Sequence, residues 1–561
     1  MESSGETLLI IWTLFRSQHS SEVRTLEERE MAKHRKDPRA AIIALVIAGG
    51  LTVALVPASR WGWAAQSNGT LVWGRSGDAV SLDNAIAEDG ETGEATVQLF
   101  NLLVRAKPGA TDVEPDLATS WSASPDGLIW TFKLRKGVKF QDGTPFNAQA
   151  AKFNFDRWAD AKNPYHQPGT DFIIWGEFLA DIFKEARAVD PDTLQIILKV
   201  PNAPLLYNLT ITGFEFGSPA AIAKYGGRGF SQNPVGTGPF RAVEWVRDDH
   251  ITMVANSSYF RQGLPKVQRL IYRVIKDNAA RYLALKAGEI QAMELPNPDD
   301  VRAAQADPNL KVGLRPALNS SWLRFNMNLP LFKDRRIREA LALGIDRKSI
   351  VEALYGGRGE VANQMLPPVM WGRSTTVQAY PYDPDRAKGL LAEAGYPNGF
   401  SLDLWYMPIS RPYFPVPKEI GSAMASDLAK IGVRAHLMTE DWATYLKDLR
   451  TNKFMLFMEG GIGDNGDPDD FYSTFIPKYD PNVAYLSYNN PTVFSLVSRA
   501  RVVTDQNERA KMYAQIAEIL VQDVRDIPVG NAKTPILMRR NVEGLVPQPN
   551  GSEYMETVEL K

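Results

Sequence analysis

Alternating apolar and polar residues predict paired strands in the first third of the chain. Trp130 to Leu134 has apolar side chains at every second position, which is the period of a half-buried strand. The preceding Pro125-Asp126-Gly127 is a tight-turn sequence between two strands. A second hairpin is predicted from Asp190 to Leu198, with its turn at Pro191-Asp192. Both segments are therefore predicted to be β-hairpins.

Helices are predicted where a capping residue precedes apolar residues at helical spacing. Asn147 is expected to cap a helix that runs through Trp158, and Asp334, Asp346 and Asp383 are expected to cap three later helices. The side-chain oxygen of such a residue accepts a hydrogen bond from an N–H of the first turn, which has no partner within the helix.

Strands and helices then alternate along the chain. A strand at 271–275 precedes a helix from Asn278 to Gly288, which is predicted to bury Tyr282, Leu283 and Leu285. A similar alternation recurs between residues 402 and 458. Because 561 residues exceed what one hydrophobic core usually holds, at least two α/β lobes are expected.

The segment from Met458 to Asp470 has the most unusual composition in the chain. It follows a short apolar run that is predicted to be a buried strand, and it contains four glycines, one proline and four aspartates. This composition predicts a loop throughout rather than helix or strand. Loops that combine glycines with several carboxylates commonly present charge to a ligand.

Four interpretations of this loop are open from the residues alone. Three of its glycines have the spacing of a dinucleotide-binding loop, but the neighbouring aspartates would repel a pyrophosphate. A calcium loop beginning at Asp464 would need an oxygen ligand where Pro468 stands and a glutamate where Phe475 stands. The other two are a carboxylate placed for a cationic ligand group and a solvated acidic turn in which Asp467 caps a helix.

Two motifs in this region resemble the dipeptide-binding branch of the family 5 solute-binding proteins, the extracytoplasmic receptors of peptide ABC importers. The first is Gly-Asp-Asn-Gly-Asp-Pro-Asp-Asp-Phe from Gly463 to Phe471, and the second is Met-Pro-Ile-Ser-Arg-Pro-Tyr from Met407 to Tyr413. Their separation also agrees with the family, and the resemblance covers essentially the whole chain after residue 66. It implies an α/β, two-lobed periplasmic-binding-protein fold of type II-like form, with an additional subdomain in the first lobe.

The resemblance implies roles for two charged residues. In the family, the arginine before Pro-Tyr holds the peptide carboxylate and the first aspartate of Gly-Asp-Asn-Gly holds its ammonium, which assigns these roles to Arg411 and Asp464. The chemistry is suitable, because a guanidinium binds a carboxylate through two parallel hydrogen bonds and a carboxylate accepts from an ammonium. Holding both ends also selects ligand length, since each residue adds about 3.3–3.6 Å of extended chain.

Five further residues complete the candidate ligand-binding set. Tyr413 and Asn465 stand inside the two motifs, Trp442 lies in a predicted helix between them that Asp441 opens, and Asp89-Gly90 is expected to reach the cleft from the opposite lobe. The alternatives are core packing for Trp442 and a structural turn for Asp89-Gly90. Gly461 departs from the family, which has a tryptophan at this position, and this departure leaves the ligand preference open.

Composition excludes several other classes of function. The chain has no cysteine, which excludes disulfides, thiolate metal sites and a lipid-anchored cysteine. Its five scattered histidines form no metal-binding pair. Its net charge of -2 shows no excess of basic residues of the kind that binds nucleic acid. The sequence shows no nucleophile–histidine pairing and no phosphate loop, which speaks against a two-lobed hydrolase. We therefore expect no enzymatic activity, no metal and no cofactor.

Residues 1–66 are predicted to be a targeting segment. A basic run at 33–36 precedes an apolar stretch at 40–57 and small residues at 64–65 that suit a signal peptidase. The charged residues ahead of the basic run favour a true translation start at Met31. An uncleaved signal anchor is the alternative, because about eighteen apolar residues are at the lower limit for crossing a bilayer. Periplasmic export without a lipoprotein cysteine is therefore predicted.

Together with the targeting segment, the resemblance implies an extracytoplasmic substrate-binding protein of an ABC transporter. It would enclose a short peptide, with a dipeptide favoured, and deliver it to a permease in the cytoplasmic membrane, acting as a monomer. A receptor of the same family for a sugar, an opine or a chelated metal is the alternative. The predicted domains are the targeting segment at 1–66, the first-lobe core at 67–98, 230–320 and 530–561, the extra subdomain at 99–229, and the second lobe at 321–529.

Overall fold

The computed structural model describes residues 69–86, 89–166, 172–449, 451, 453–475 and 488–561. The predicted targeting segment, with its Met31 start and its cleavage position, lies outside the described residues. The described residues belong to one compact unit. None of the helices formed by these residues combines the length and the apolar character needed to cross a bilayer.

The described residues form short strands and helices in alternation. The strands, numbered in chain order, are β1 (Thr70–Arg75), β2 (Val104–Ala106), β3 (Val113–Pro115), β4 (Ala118–Ala123), β5 (Ile129–Leu134), β6 (Phe183–Asp190), β7 (Thr193–Leu198), β8 (Phe240–Val246), β9 (His250–Ala255), β10 (Arg269–Val274), β11 (Ala292–Glu294), β12 (Leu310–Arg315), β13 (Asn319–Phe325), β14 (Gly359–Val361), β15 (Phe400–Trp405), β16 (Val433–Met438), β17 (Leu456–Ile462), β18 (Asp526–Pro528), β19 (Gly530–Ala532), β20 (Thr534–Arg539), β21 (Val542–Glu543) and β22 (Glu559–Leu560). The helices are α1 (Gly90–Leu99), α2 (Ala148–Ala159), α3 (Ile173–Phe178), α4 (Leu205–Asn208), α5 (Pro219–Phe230), α6 (Asn278–Ala287), α7 (Pro298–Ala306), α8 (Pro330–Lys333), α9 (Arg335–Gly344), α10 (Arg347–Leu354), α11 (Pro384–Glu393), α12 (Pro417–Lys430), α13 (Trp442–Leu449), α14 (Asp469–Tyr472), α15 (Pro491–Ala500) and α16 (Gln506–Gln522).

Two mixed sheets organise the chain. The first has seven strands in the order β12-β20-β11-β1-β10-β9-β8, and β1 runs parallel to both of its neighbours. The second has five strands in the order β16-β15-β17-β13-β18, and β15 runs parallel to both of its neighbours. A third, antiparallel sheet with the order β4-β5-β7-β6 contains the two predicted hairpins. The predicted α/β class is confirmed, while the exact domain boundaries stay a prediction.

Local capping signals are confirmed by the structure. Asn147 accepts the N–H of Ala150 at the start of α2. Asp334, Asp346 and Asp383 likewise accept N–H groups in the first turns of α9, α10 and α11. These interactions depend on residues two or three positions apart, which is why sequence alone places them correctly.

The predicted buried face of α6 is wrong at two positions. Leu283 is 63% exposed and Tyr282 is half-buried, whereas Arg281, Ala284 and Leu285 are buried. The guanidinium of Arg281 turns inward because its Nη1 donates to the carbonyl of Ile275 at 2.5 Å. Arg281, bound to a main-chain carbonyl, is therefore buried on this helix, whereas Leu283, which the hydropathy pattern predicts to be buried, is exposed.

The second lobe has an apolar core around its central strands. Leu404 of β15 and Phe457 and Met458 of β17 are fully buried in it. A neighbouring apolar cluster joins α14, α15 and α16 to Trp322 of β13. The candidate site lies where β15 and β17 leave this core.

Candidate ligand-binding site

Arg411 and Asp464 follow two neighbouring parallel strands. Trp405, the last residue of β15, is in register with Phe457 of β17, and β17 continues to Ile462. Because parallel strands point their carboxyl ends toward the same edge of a sheet, both residues follow the sheet at one edge. We call this side of the second sheet the carboxyl edge.

Arg411 is fixed by a tight turn and by an aromatic ring. Its N–H and C=O exchange two hydrogen bonds of 3.0 Å with Phe414. Its Cζ lies 4.8 Å from the ring centre of Trp442, a cation–π distance. Its Nε is buried without a hydrogen-bond acceptor in the described part of the chain, where the guanidinium also makes no ion pair. The turn and the ring therefore hold a cation whose charge is not matched by any described side chain.

Trp442 and Tyr413 build the wall beside this arginine. Trp442 stacks on Tyr445, with ring centres 6.0 Å apart and an interplanar angle of 16°. The Tyr445 hydroxyl donates to the carbonyl of Met458 at 2.7 Å, which ties this stack to β17. Tyr413 is 7% exposed, and burial raises the pKa of its hydroxyl to about 12.

The segment from Met458 to Asp470 is not a loop throughout, and that prediction is wrong at both ends. β17 extends through Gly460 and Gly461, which pair with Ser321 and Ser320 of β13. α14 begins at Asp469. A Cβ on Gly460 would lie 2.4 Å from the ring of Tyr413. Gly460 therefore allows an aromatic ring to pack directly on the strand, and it does not form a turn.

Asp467 has a structural role. It is fully buried, and its two carboxylate oxygens accept hydrogen bonds of 2.7 Å from Nη1 and Nη2 of Arg509. Oδ1 also accepts the N–H of Asp469 at 2.9 Å, at the start of α14, but the residue is buried, so the interpretation as a solvated acidic turn is wrong. Asp469 is also buried, and Arg501 lies 3.3 Å from it. These two carboxylates are therefore matched by cations of the protein.

Asp464 differs from its neighbours because it is exposed. Its N–H donates to Oδ2 of Asp470 at 2.9 Å, which fixes the backbone of the loop. The pKa of Asp470 is raised well above its ordinary value, first by burial and then by the negative charge of Asp464. A cationic group bound beside Asp464 would relieve this repulsion. Its predicted contact with a ligand ammonium stays a prediction.

Asn465 joins two segments that are far apart in the sequence. Its side-chain amide donates to Oδ1 of Asn208 at 3.1 Å, and its Oδ1 accepts the N–H of Asp467 at 2.7 Å. Asn208 ends α4, which follows the third sheet in sequence. A Cβ on Gly466 would lie 2.4 Å from the carbonyl of Thr111, so the loop also meets that segment closely. Asn465 thus contacts a segment far away in the sequence, and its predicted ligand contact stays a prediction.

Asp89 and Gly90 were predicted to contribute to the ligand site from the opposite lobe, but in the structure they form the start of α1. Asp89 caps α1, and its Oδ1 accepts the N–H of Thr92 at 2.8 Å. Gly90 is the first residue of that helix and is exposed. Within the described residues, neither Arg411 nor Asp464 shares a hydrogen bond or ion pair with Asp89. The helix cap agrees with the structural alternative, and a ligand contact stays a prediction.

A cavity next to Arg411 was not predicted. Its volume is about 570 Å³, within the range of about 300–1,000 Å³ that is usual for small-molecule sites. The lining residues are Met407, Tyr413, Trp442, Tyr445, Leu446, Lys447, Leu449, Met458, Glu459 and Gly460. We call this space the aromatic cavity. The sequence offered one usable signal, because Met407 begins one of the two family motifs and Met458 lies at the end of the predicted buried strand.

The fold and the carboxyl edge define a two-lobed ligand-binding protein, and comparison with known proteins identifies its family. Residues 112–482 match the family model of bacterial extracellular solute-binding proteins, family 5 (middle). The chain belongs to this family, and the predicted membership is confirmed. It is a family of solute-binding proteins rather than of enzymes.

Similar proteins cover nearly the whole chain. A dipeptide-binding protein of Escherichia coli K12 is 34% identical over 88% of this chain and 95% of its own length. Heme-binding protein A of Haemophilus influenzae is 35% identical over 87% of this chain and 91% of its own length. The solved structure of HbpA2 from Haemophilus parasuis aligns with a TM-score of 0.81 at 33% identity, covering 88% of this chain and all of that one.

Proposed function

We propose that the protein binds a short peptide, preferably a dipeptide, at the carboxyl edge and delivers it to the permease of an ABC importer. The observation that carries this proposal is the guanidinium of Arg411. It is held against Trp442, and its buried Nε has no acceptor in the described residues. A partly buried cation needs a counter-charge, and a carboxylate matches the planar geometry of a guanidinium. The similarity to a dipeptide-binding protein supports a peptide as the source of that carboxylate.

The second end of the ligand is assigned to Asp464. This residue leaves the strand next to the one that precedes Arg411, and it is the exposed carboxylate of its loop. An ammonium placed there would also offset the repulsion between Asp464 and Asp470. Two opposite charges at one sheet edge therefore suit a small zwitterion with its charges at its two ends.

A non-peptide solute is the second candidate. One relative at 35% identity is named as a heme-binding protein, and this similarity is as extensive as that to the dipeptide-binding protein. Chelated metals, sugars and opines therefore belong in any ligand screen. Arg411 would bind such a solute only through an anionic group of that solute.

The family suggests the compartment and the membrane partner of the protein. We infer that the protein acts outside the cytoplasm, in the periplasm, after export by the targeting segment at 1–66. A membrane permease is its proposed partner, and a monomer is the proposed working state. No catalytic role is proposed, because the charged residues at the carboxyl edge are suited to holding a ligand and include no nucleophile next to a base.

Calorimetry with matched ligands tests the proposal. Ala-Phe with both ends free is compared with its N-acetylated form, its C-terminal amide, free phenylalanine, tri- and tetrapeptides, and haem. Only the free dipeptide is expected to bind tightly, and at a hundred times its dissociation constant it should stabilise the protein by about 2.7 kcal/mol. Equal binding of the amidated dipeptide would contradict the role of Arg411. Binding of haem without any peptide would favour the second candidate.

A further inference from the structure

We propose that the aromatic cavity binds the side chain of the ligand residue that carries the carboxylate, and that it selects a bulky apolar or aromatic side chain. This inference rests on the proposed function, because it takes Arg411 as the site of the ligand carboxylate.

The position of the cavity carries the first step. Tyr413 lies in the same turn as Arg411, and Trp442 lies beneath the guanidinium of Arg411. Both rings also line the aromatic cavity. In a peptide, the α-carbon next to the carboxylate also bears the last side chain. A carboxylate bound to Arg411 therefore brings that side chain to the mouth of the cavity.

The chemistry of the walls carries the second step. Three aromatic rings, two methionines and two leucines face the space, and methionine sulfur makes favourable contacts with aromatic rings. The two charged residues in the lining do not change this character. Glu459 lies 3.2 Å from Nη1 of Arg324, so its charge is matched, and Lys447 is exposed. A cationic ligand side chain would therefore lose water without gaining an unmatched carboxylate.

The size and origin of the cavity carry the third step. A volume of about 570 Å³ leaves room for the largest amino-acid side chains. All of its lining residues lie between Met407 and Gly460, so the second lobe alone provides the subsite. Gly460 is required for its shape, because a Cβ there would displace the Tyr413 ring. The selection of the side chain is thus built into the same lobe that holds both proposed charges.

Position-swapped dipeptides test this assignment by calorimetry. Ala-Phe is expected to bind at least about 10-fold more tightly than Ala-Ala, because burial of a phenylalanine side chain is worth that much. Phe-Ala and Ala-Lys are expected to bind within about threefold of Ala-Ala. If Phe-Ala binds as tightly as Ala-Phe, or if Ala-Ala matches both, the assignment of the cavity is wrong while the proposed function stands. If no dipeptide binds, the proposed function fails and this inference fails with it.

A filling variant sharpens the test. Leu446 is 43% exposed, so Leu446→Trp adds bulk at the cavity with little strain on the core. The ratio of the Ala-Phe to the Ala-Ala affinity is expected to fall toward one. Leu283→Trp is the matched control on α6, where the leucine is 63% exposed, and it should leave this ratio unchanged. An unchanged ratio in a folded Leu446→Trp protein would overturn the assignment, and if that variant does not fold, the position-swapped peptides decide alone.

Discussion

Arg411 and Arg509 have similar aromatic surroundings and different charge partners. The Cζ of Arg411 lies 4.8 Å from the centre of the Trp442 ring, and that of Arg509 lies 5.1 Å from the centre of the Trp371 ring. Arg509 is almost fully buried and makes a two-pronged ion pair with Asp467. Arg411 is half-buried and makes no ion pair with the described residues. Aromatic stacking therefore does not distinguish a structural arginine from one available to a ligand, whereas the carboxylate partner does.

Burial separates the aspartates of one short segment in a comparable way. Asp467 neutralises Arg509 inside the fold, while Asp464 is exposed three residues earlier. A buried charge must be matched within the protein, but a charge at a cleft can be matched by a ligand that binds there. The four predictions below test this division, beginning with the largest expected effect.

Removing the internal carboxylate should damage folding. Asp467→Ala leaves the guanidinium of Arg509 buried without its counter-charge, and the free energy of unfolding is expected to fall by about 3–5 kcal/mol. Urea denaturation measures this change. Asp156→Ala is the matched control, because Asp156 pairs with Lys152 on the surface, and at most about 0.5 kcal/mol should be lost there. Equal losses in the two variants would show that the buried pair contributes no more than an exposed one.

Removing the unmatched cation should damage binding and spare folding. Arg411→Ala is expected to weaken dipeptide binding by about 2–5 kcal/mol, because the ligand carboxylate then lacks its partner. Arg411→Lys should recover only part of this loss, since an ammonium cannot make the two-pronged contact. Calorimetry and a thermal melt of the unliganded protein measure the two effects. Arg434→Ala, on the exposed side of β16, is the control that should change neither, and a destabilised unliganded Arg411→Ala protein would assign Arg411 a structural role.

Neutralising Asp464 should have a smaller effect on affinity. Asp464→Asn is expected to cost about 1.5–3 kcal/mol of dipeptide binding, because it removes a charged hydrogen-bond acceptor from an exposed position. Comparing the effect of Asp464→Asn on the free dipeptide and on an N-acetylated dipeptide isolates the ammonium contact, since the acetylated ligand lacks the ammonium that Asp464 is proposed to hold. Its weak binding should be unaffected by Asp464→Asn. A further loss with this ligand would show that the variant acts on something other than the ammonium.

The smallest expected effect is a change in the free energy of unfolding with pH. Burial and the charge of Asp464 raise the pKa of Asp470 above its usual value, and Asp469 and Glu177 act in the same direction. The folded protein then holds the proton more tightly than the unfolded chain, so this group contributes stability below its ordinary pKa of 3.8 and loses that contribution as pH rises through the raised value. Asp470→Asn should therefore gain stability relative to the unsubstituted protein as pH rises from about 4 to 7. A constant difference across this range would contradict the raised pKa.

Much of the local structure could be predicted because its causes are local. A cap such as Asn147 and a turn such as Asp126-Gly127 depend on neighbouring residues, and the structure places both as expected. The buried strand before the loop of Asp464 was also predicted, and the structure adds that Arg411 and Asp464 follow adjacent parallel strands. Their roles toward a ligand are proposals that the variants above will test.

The remaining features depend on partners far away in sequence. Asp467 pairs with Arg509, and Asn465 bonds to Asn208, 257 positions away, so no local pattern could distinguish these residues from Asp464. Gly460 was assigned to a loop because glycine favours turns, yet it lies in a strand to make room for Tyr413. Residue type alone did not show whether a glycine was needed for a turn or for close packing.

The side-chain hydrogen bond of Asn465 couples two distant segments. Asn465 directly follows Asp464, and its amide donates to Asn208 at the end of α4. Any separation of these two segments must break that bond and pull on the backbone next to the proposed ammonium contact. The backbone next to Asp464 therefore keeps its position only while it is held to a residue of α4, 257 positions away in the sequence.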